Sequence, residues 1–230
     1  MFDPKKLLEQ FLGGTSGAGG GKGMSPDLLK GLAGGAAAGG IAGLLLGGKS
    51  TKKLAKTALK VGGTAALAGL AYKVYSDWQA SKTAAPDDAT PPMRDITPRP
   101  EGTPFLPSAP RARDDLSLAI LRAMIAAAKS DGHIDATEQQ KIFGKLDGLD
   151  LDTEAKAWVM DELRKPLDID SVVTAATSPE VAVEIYAASF LAIDPDDPAE
   201  QAYLAMLASR LKLDPVLKLS IETEARKILA

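Results

Sequence analysis

The chain has 230 residues, 45% of them apolar, and a formal net charge of −3, which allows one or two domains with a real core. It contains no cysteine, so disulfides and thiolate metal sites are excluded. Charge is spread unevenly, with 11 Lys/Arg against 4 Asp/Glu in residues 1–83, 4 against 4 in 84–113, and 12 against 22 in 114–230. A basic front suits an anionic membrane surface, and an acidic back argues against nucleic acid and for cations or basic partners.

Residues 1–30 open with Asp3-Pro4, an N-cap followed by proline at the first helical position, and then place Leu7, Leu8, Phe11 and Leu12 on one helical face. This predicts a short amphipathic helix that packs on its own protein, with an interfacial membrane helix as the alternative. A Gly/Ser-rich tether follows over 13–23.

Residues 31–48 carry no charge, and glycine recurs at Gly31, Gly35, Gly39, Gly43 and Gly47. As a helix the segment would rise about 27 Å, close to the roughly 30 Å of hydrocarbon in a bilayer. The expectation is a Gly/Ala-rich transmembrane helix whose bare stripe lets a second copy approach, giving a homo-oligomer in the membrane. Five lysines follow it, Lys49, Lys52, Lys53, Lys56 and Lys60, against Lys22 and Lys30 before it. That imbalance places the later side, with the C-terminal domain, in the cytoplasm. Within 49–83, the uncharged stretch 61–72 spans only about 18 Å as a helix. With Lys56 and Lys60 snorkelling it becomes the second arm of a hairpin, with Tyr72, Tyr75 and Trp78 as an interfacial belt at its far end; one crossing is the preferred reading.

Residues 43–50 also fit the phosphate-loop pattern G-x-x-x-x-G-K-[ST]. That loop needs a strand before it and a parallel sheet around it, and neither reads here, so no nucleotide is expected. Residues 84–113 hold eight of the fifteen prolines and predict an extended, disordered spacer between anchor and payload.

From residue 114 the apolar spacing is helical, beginning with Leu116, Ile120, Leu121, Met124 and Ile125 and continuing with Ile142, Phe143 and Leu146. Further helices are predicted at about 152–164, 179–192, 198–211 and 215–228, and no stretch reads as a strand. The fold class is therefore all-α, with a C-terminal helical bundle over 114–230 joined by the Pro-rich linker to the membrane helix.

The bundle contains an internal repeat. Ala127-Ala-Lys-Ser-Asp131-Gly-His-Ile-Asp135-Ala-Thr-Glu138-Gln139 is echoed 62 residues on by Leu191-Ala-Ile-Asp194-Pro-Asp196-Asp197-Pro198-Ala-Glu200-Gln201. Asp135 with Glu138, and Asp197 with Glu200, are explained as N-cap and N3 residues. Capping does not explain Asp131 and Asp194, which fall at helix C-termini, where the macrodipole disfavours a carboxylate. Packed face to face, the two turns would gather Asp131, Asp135, Glu138, Asp194, Asp196, Asp197 and Glu200, an oxygen-only set suited to calcium, magnesium or manganese. His133, the single histidine, reads as a solvent-facing turn residue. No nucleophile–base pair is visible, so no enzyme activity is expected.

These two turns resemble a TerB-like domain, the helical module of tellurite-resistance proteins. The whole chain, with its Met-Phe-Asp-Pro-Lys-Lys-Leu-Leu start, Gly/Ala segment and proline-rich spacer, resembles a bacterial inner-membrane family that includes YebE. The resemblance implies an all-α domain on a membrane anchor, acidic residues that bind divalent metal, and no assigned molecular activity. The functional expectation is a non-enzymatic, membrane-anchored module that binds a divalent cation or an unidentified protein partner, in envelope or metal stress. The alternative is an oligomeric membrane assembly driven by the glycine stripe, with the acidic domain as docking surface.

Overall fold

A computed structural model describes residues 2–12, 64–83, 100–130, 152–193 and 197–229. These form eight helices: α1 (Pro4–Phe11), α2 (Thr64–Thr83), α3 (Pro110–Ala128), α4 (Thr153–Arg164), α5 (Ile169–Thr174), α6 (Pro179–Leu191), α7 (Pro198–Arg210) and α8 (Pro215–Leu229). Among the described residues the β structure is limited to one isolated bridge, Glu101 to Leu106, so the chain is all-α. The segments 31–48 and 131–150, and with them the glycine stripe, the phosphate-loop match and the helix carrying Ile142, Phe143 and Leu146, lie outside the described residues.

Helix starts follow a repeated local signal. Asp3-Pro4, Ser178-Pro179 and Asp197-Pro198 each place a capping oxygen before proline at the first helical position, and the side chains accept from Lys6 N, Val181 N and Ala199 N. Asp214-Pro215 does the same at α8, with Val216 N donating to Asp214 at 2.9 Å. Proline suits this position because its ring fixes φ and its missing N–H would have no intrahelical acceptor. Each cap contributes about 1 kcal/mol. Asp152 and Asp168 cap α4 and α5 without proline.

The core is built around α6. Its nine consecutive residues 182–190 are all buried, because α6 packs against α3, α2, α8 and α7. A helix apolar on every side needs partners on every side. Around it, α3 supports α1, α4 and α5, while α2 also packs on α8.

Three expectations are decided at this level, the first in favour of its preferred reading, a helix packed on its own protein. The N-terminal helix lays Leu7, Leu8 and Phe11 into the common core against α3, and Phe2 stacks on Trp158 of α4 at 6.0 Å. The second apolar stretch becomes α2, a 20-residue helix whose Leu67, Ala68, Leu70, Ala71 and Val74 are buried in the same core. Its aromatic residues face protein rather than an interface: Phe105 sits 5.9 Å from Tyr72 and 5.7 Å from Tyr75.

The third expectation concerns the spacer, of which residues 100–113 are folded. Phe105 is buried by a tight turn in which Gly102, at φ +79°, donates its amide to Leu106 O at 2.9 Å. Pro110 opens α3, so the expected boundary at residue 114 falls inside a helix. Proline forbids helix interiors but not turns or first turns, which is where Pro104, Pro107 and Pro110 lie.

Candidate functional site

The helices that lead into the two acidic turns, α3 and α6, pack on each other, and Ser189 Oγ lies 3.4 Å from Ala123 O. Ser189 is in the last turn of α6, and Ala123 is five residues, about 7.5 Å of rise, before the end of α3. The C-terminal halves of the two repeat-initiating helices therefore touch.

Of the seven predicted carboxylates, Asp197 and Glu200 are described. Asp197 is the expected N-cap, with Oδ1 accepting from the amides of Ala199 at 2.8 Å and Glu200 at 3.2 Å. Asp131, Asp135, Glu138, Asp194 and Asp196, together with His133, lie outside the described residues. Among the described residues no three His, Asp or Glu side chains form a group suited to a metal ion.

Two acidic positions that sequence reasoning passed over stand out in the core. Glu184, in the middle of α6, is 1% exposed, and its Oε2 has no hydrogen-bond partner among the described residues. Burial pushes this carboxyl well above the usual carboxylate range. Glu222 of α8 has the opposite fate. Burial raises it, but hydrogen bonds from Lys218 and Tyr186 outweigh that effect and hold it below its ordinary value. The Tyr186 phenol is raised by burial and by that same bond. The only sequence signal for Glu184 is a lone acid in the otherwise apolar run 181–188.

Among the described residues, two clefts on the surface bear on function. One, of about 570 Å³, is lined by Arg122, Lys129, Glu162, Lys165 and Leu167 among others. Its charges serve the fold: Glu162 pairs with Arg122 at 3.7 Å and Lys165 at 2.7 Å. Lys129 Nζ donates to the carbonyl oxygens of Glu162, at 3.2 Å, and Lys165, clamping α3 to the C-terminus of α4. A cation there complements the helix dipole.

The other cleft, about 700 Å³, lies between α2, the start of α6 and the α7–α8 turn. Tyr75, Trp78 and Lys82 line it from one face of α2, at i, i+3 and i+7, and Arg210, Lys212 and Asp214 line it from the turn. The Tyr75 and Trp78 rings are 5.6 Å apart, and the Lys82 ammonium lies 4.0 Å over the Trp78 ring. The Trp78 Nε1 is buried with no hydrogen-bond partner among the described residues. Lys82 pairs with Asp214 at 3.2 Å, and Arg210 pairs with Asp170.

Lys212 has φ +54° and closes a Schellman turn, its amide bonding Ser209 O at 3.1 Å while Leu213 N bonds Ala208 O at 3.1 Å. Glycine is the usual residue there, and a side chain costs about 1 kcal/mol. Such a retained strain marks positions of interest when other observations converge on them. The α2 aromatics that line this cleft are visible in sequence, where they read as an interfacial belt only in the hairpin alternative.

The fold and its clefts define an all-α protein without an assigned chemistry. The family described as "Protein of unknown function (DUF533)" matches residues 31–225, and the chain belongs to that family. It is similar to a Yersinia enterocolitica protein described as an uncharacterized protein in the ampR 5' region, 30% identical over 108 residues, covering 47% of this chain and 78% of that protein. No solved structure matches. Among the described residues no helix is long and apolar enough to cross a membrane.

Proposed function

We propose that this member of the DUF533 family is a non-enzymatic, membrane-attached helical module that binds a divalent cation (calcium, magnesium or manganese) or a basic protein partner at its two acidic turns. The observation that carries the reading is the contact between α3 and α6 at Ser189 and Ala123, which brings the helices preceding both turns together. Ten excess acidic charges over 114–230 (12 Lys/Arg against 22 Asp/Glu) favour the same class of ligand. The TerB-like and YebE-like resemblances, and placement at a bacterial inner membrane with the folded body on the cytoplasmic side, belong to this proposal.

Attachment is assigned to residues 13–63, which contain the uncharged segment 31–48. Both flanking helices, α1 and α2, contribute side chains to one core. An arm whose two ends are built into one body lies on one side of a bilayer at both ends. In this reading it enters the membrane and returns, rather than crossing once, and glycine-stripe association between copies takes place within it.

The test is calorimetric titration of the full chain in detergent with calcium, magnesium and manganese. Saturable binding that Asp131→Asn combined with Asp194→Asn abolishes is expected. No binding, or binding unchanged in the double variant, overturns the cation reading. Metal-dependent phosphoester hydrolysis lost with Asp131→Asn would overturn the non-enzymatic one.

A further inference from the structure

The cleft between α2 and the α7–α8 turn plays no part in the cation reading. Two features converge on it from different elements: the Tyr75–Trp78 ring pair of α2 and the basic groups Lys82, Arg210 and Lys212. We propose that it is a binding site for a soluble organic anion with a flat apolar body, its ring against Tyr75, Trp78 and Leu217 and its carboxylate or phosphate at Lys212 and the guanidinium of Arg210.

The division of labour follows from charge and geometry. Lys82 and Arg210 are each engaged by an aspartate, whereas Lys212 makes no ion pair among the described residues. Its left-handed backbone, in a place suited to glycine, holds a cation at the lip of the cleft, at the C-terminal end of α7, where the helix dipole also tolerates positive charge. Aromatic walls supply affinity for a planar body. The ligand arrives from water. Lys82 lies 18 residues along α2 from Thr64, about 27 Å by helical rise, so the cleft is at the opposite end of α2 from the attachment arm.

The experiment uses the full chain in detergent with Trp158→Phe, leaving Trp78 as the fluorophore, since the chain has two tryptophans. The probes are 2-naphthoate, 1-naphthyl phosphate, neutral 2-naphthol and inorganic phosphate. Both aromatic anions should shift Trp78 fluorescence saturably, 2-naphthol should bind about tenfold more weakly, and inorganic phosphate should leave the signal unchanged. A preference between the two anions identifies the natural head group as carboxylate or phosphate.

Lys212→Gly keeps the turn, because glycine is the usual residue there, and should weaken both anions about fivefold while changing 2-naphthol less than twofold. Isothermal titration with Trp78→Phe should show weaker binding of all three aromatics. Absence of saturable binding by either anion, or unchanged affinity in Lys212→Gly, overturns the proposal. None of these readouts depends on divalent cations, so this site and the acidic turns stand or fall separately.

Discussion

Across the α6–α8 interface the Tyr186 phenol donates a 2.7 Å hydrogen bond to Oε1 of Glu222, which Lys218 also approaches at 2.7 Å. One helical turn further on, Arg226 lies 5.5 Å over the Phe190 ring. The last helix is thus held by a carboxylate that must stay ionised. Because Glu222 is held below its ordinary pKa, its contribution is present above the unfolded carboxylate value and is lost as pH falls through the folded one.

Tyr186→Phe should therefore destabilise the protein by about 1.5 kcal/mol at pH 7. The difference from the unmodified chain should shrink below about pH 4, where Glu222 protonates in the unfolded state. Urea denaturation at both pH values checks this; an equal cost at both would mean that the phenol acts through packing alone.

Glu184 works in the opposite direction. Its pKa is raised by burial, so the folded state holds a proton that the unfolded chain releases above about pH 4.3. Its share of stability is complete below that pH and falls as pH rises toward the folded pKa. Glu184→Gln keeps the shape and removes the titration, so its stability relative to the unmodified chain should rise as pH increases from 4 to 8. Thermal melts of both proteins across pH 4–8 provide the comparison.

Residues 114–230 alone should not fold as the intact protein does. Removing the first 113 residues takes Leu7, Leu8, Phe11, Leu67, Ala71, Val74 and Phe105 out of the core. Each large apolar side chain lost costs on the order of 2–4 kcal/mol, which together exceeds the stability of an ordinary domain. The fragment should show a broad melt and strong binding of a hydrophobic dye, where the full chain melts cooperatively.

Capping and ligation at Asp197 can be separated. Asp197→Ala should cost about 1 kcal/mol without added metal, whereas Asp197→Asn should cost only a few tenths, since asparagine caps a helix as well as aspartate. If the carboxylate also ligates a cation, Asp197→Asn should reduce the rise in melting temperature produced by calcium, magnesium or manganese.

The side of the membrane can be read from paired labels, because the chain has no cysteine of its own. Single cysteines at Lys5 and Ser81, in α1 and α2, should react with an impermeant maleimide from the same side of sealed vesicles. Labelling from opposite sides would restore a single crossing by 31–48.

Much of the helix pattern was legible locally. The four predicted helices between residues 152 and 228 match α4, α6, α7 and α8 to within one or two residues, because capping oxygens, first-turn prolines and apolar spacing act over three or four residues. Asp197 was legible for the same reason. The short helix α5 was missed, although Asp168 before it is a capping signal, because six residues carry too little periodicity. The burial of Glu184 was not legible, since it depends on what surrounds α6 rather than on its neighbours in sequence.

The sequence by itself determined that the protein is helical, where most of its helices begin, and how charge is divided along it, since these follow from spacing and composition. Only the tertiary structure decided which apolar faces meet. The amphipathic face at 4–11 and the apolar stretch at 61–72, for each of which a membrane contact is an alternative reading, lead into helices α1 and α2 that become core once α3, α6 and α8 supply matching faces. Apolar area is stabilised by burial against either lipid or protein, so an amphipathic pattern specifies that a face is covered and not by what.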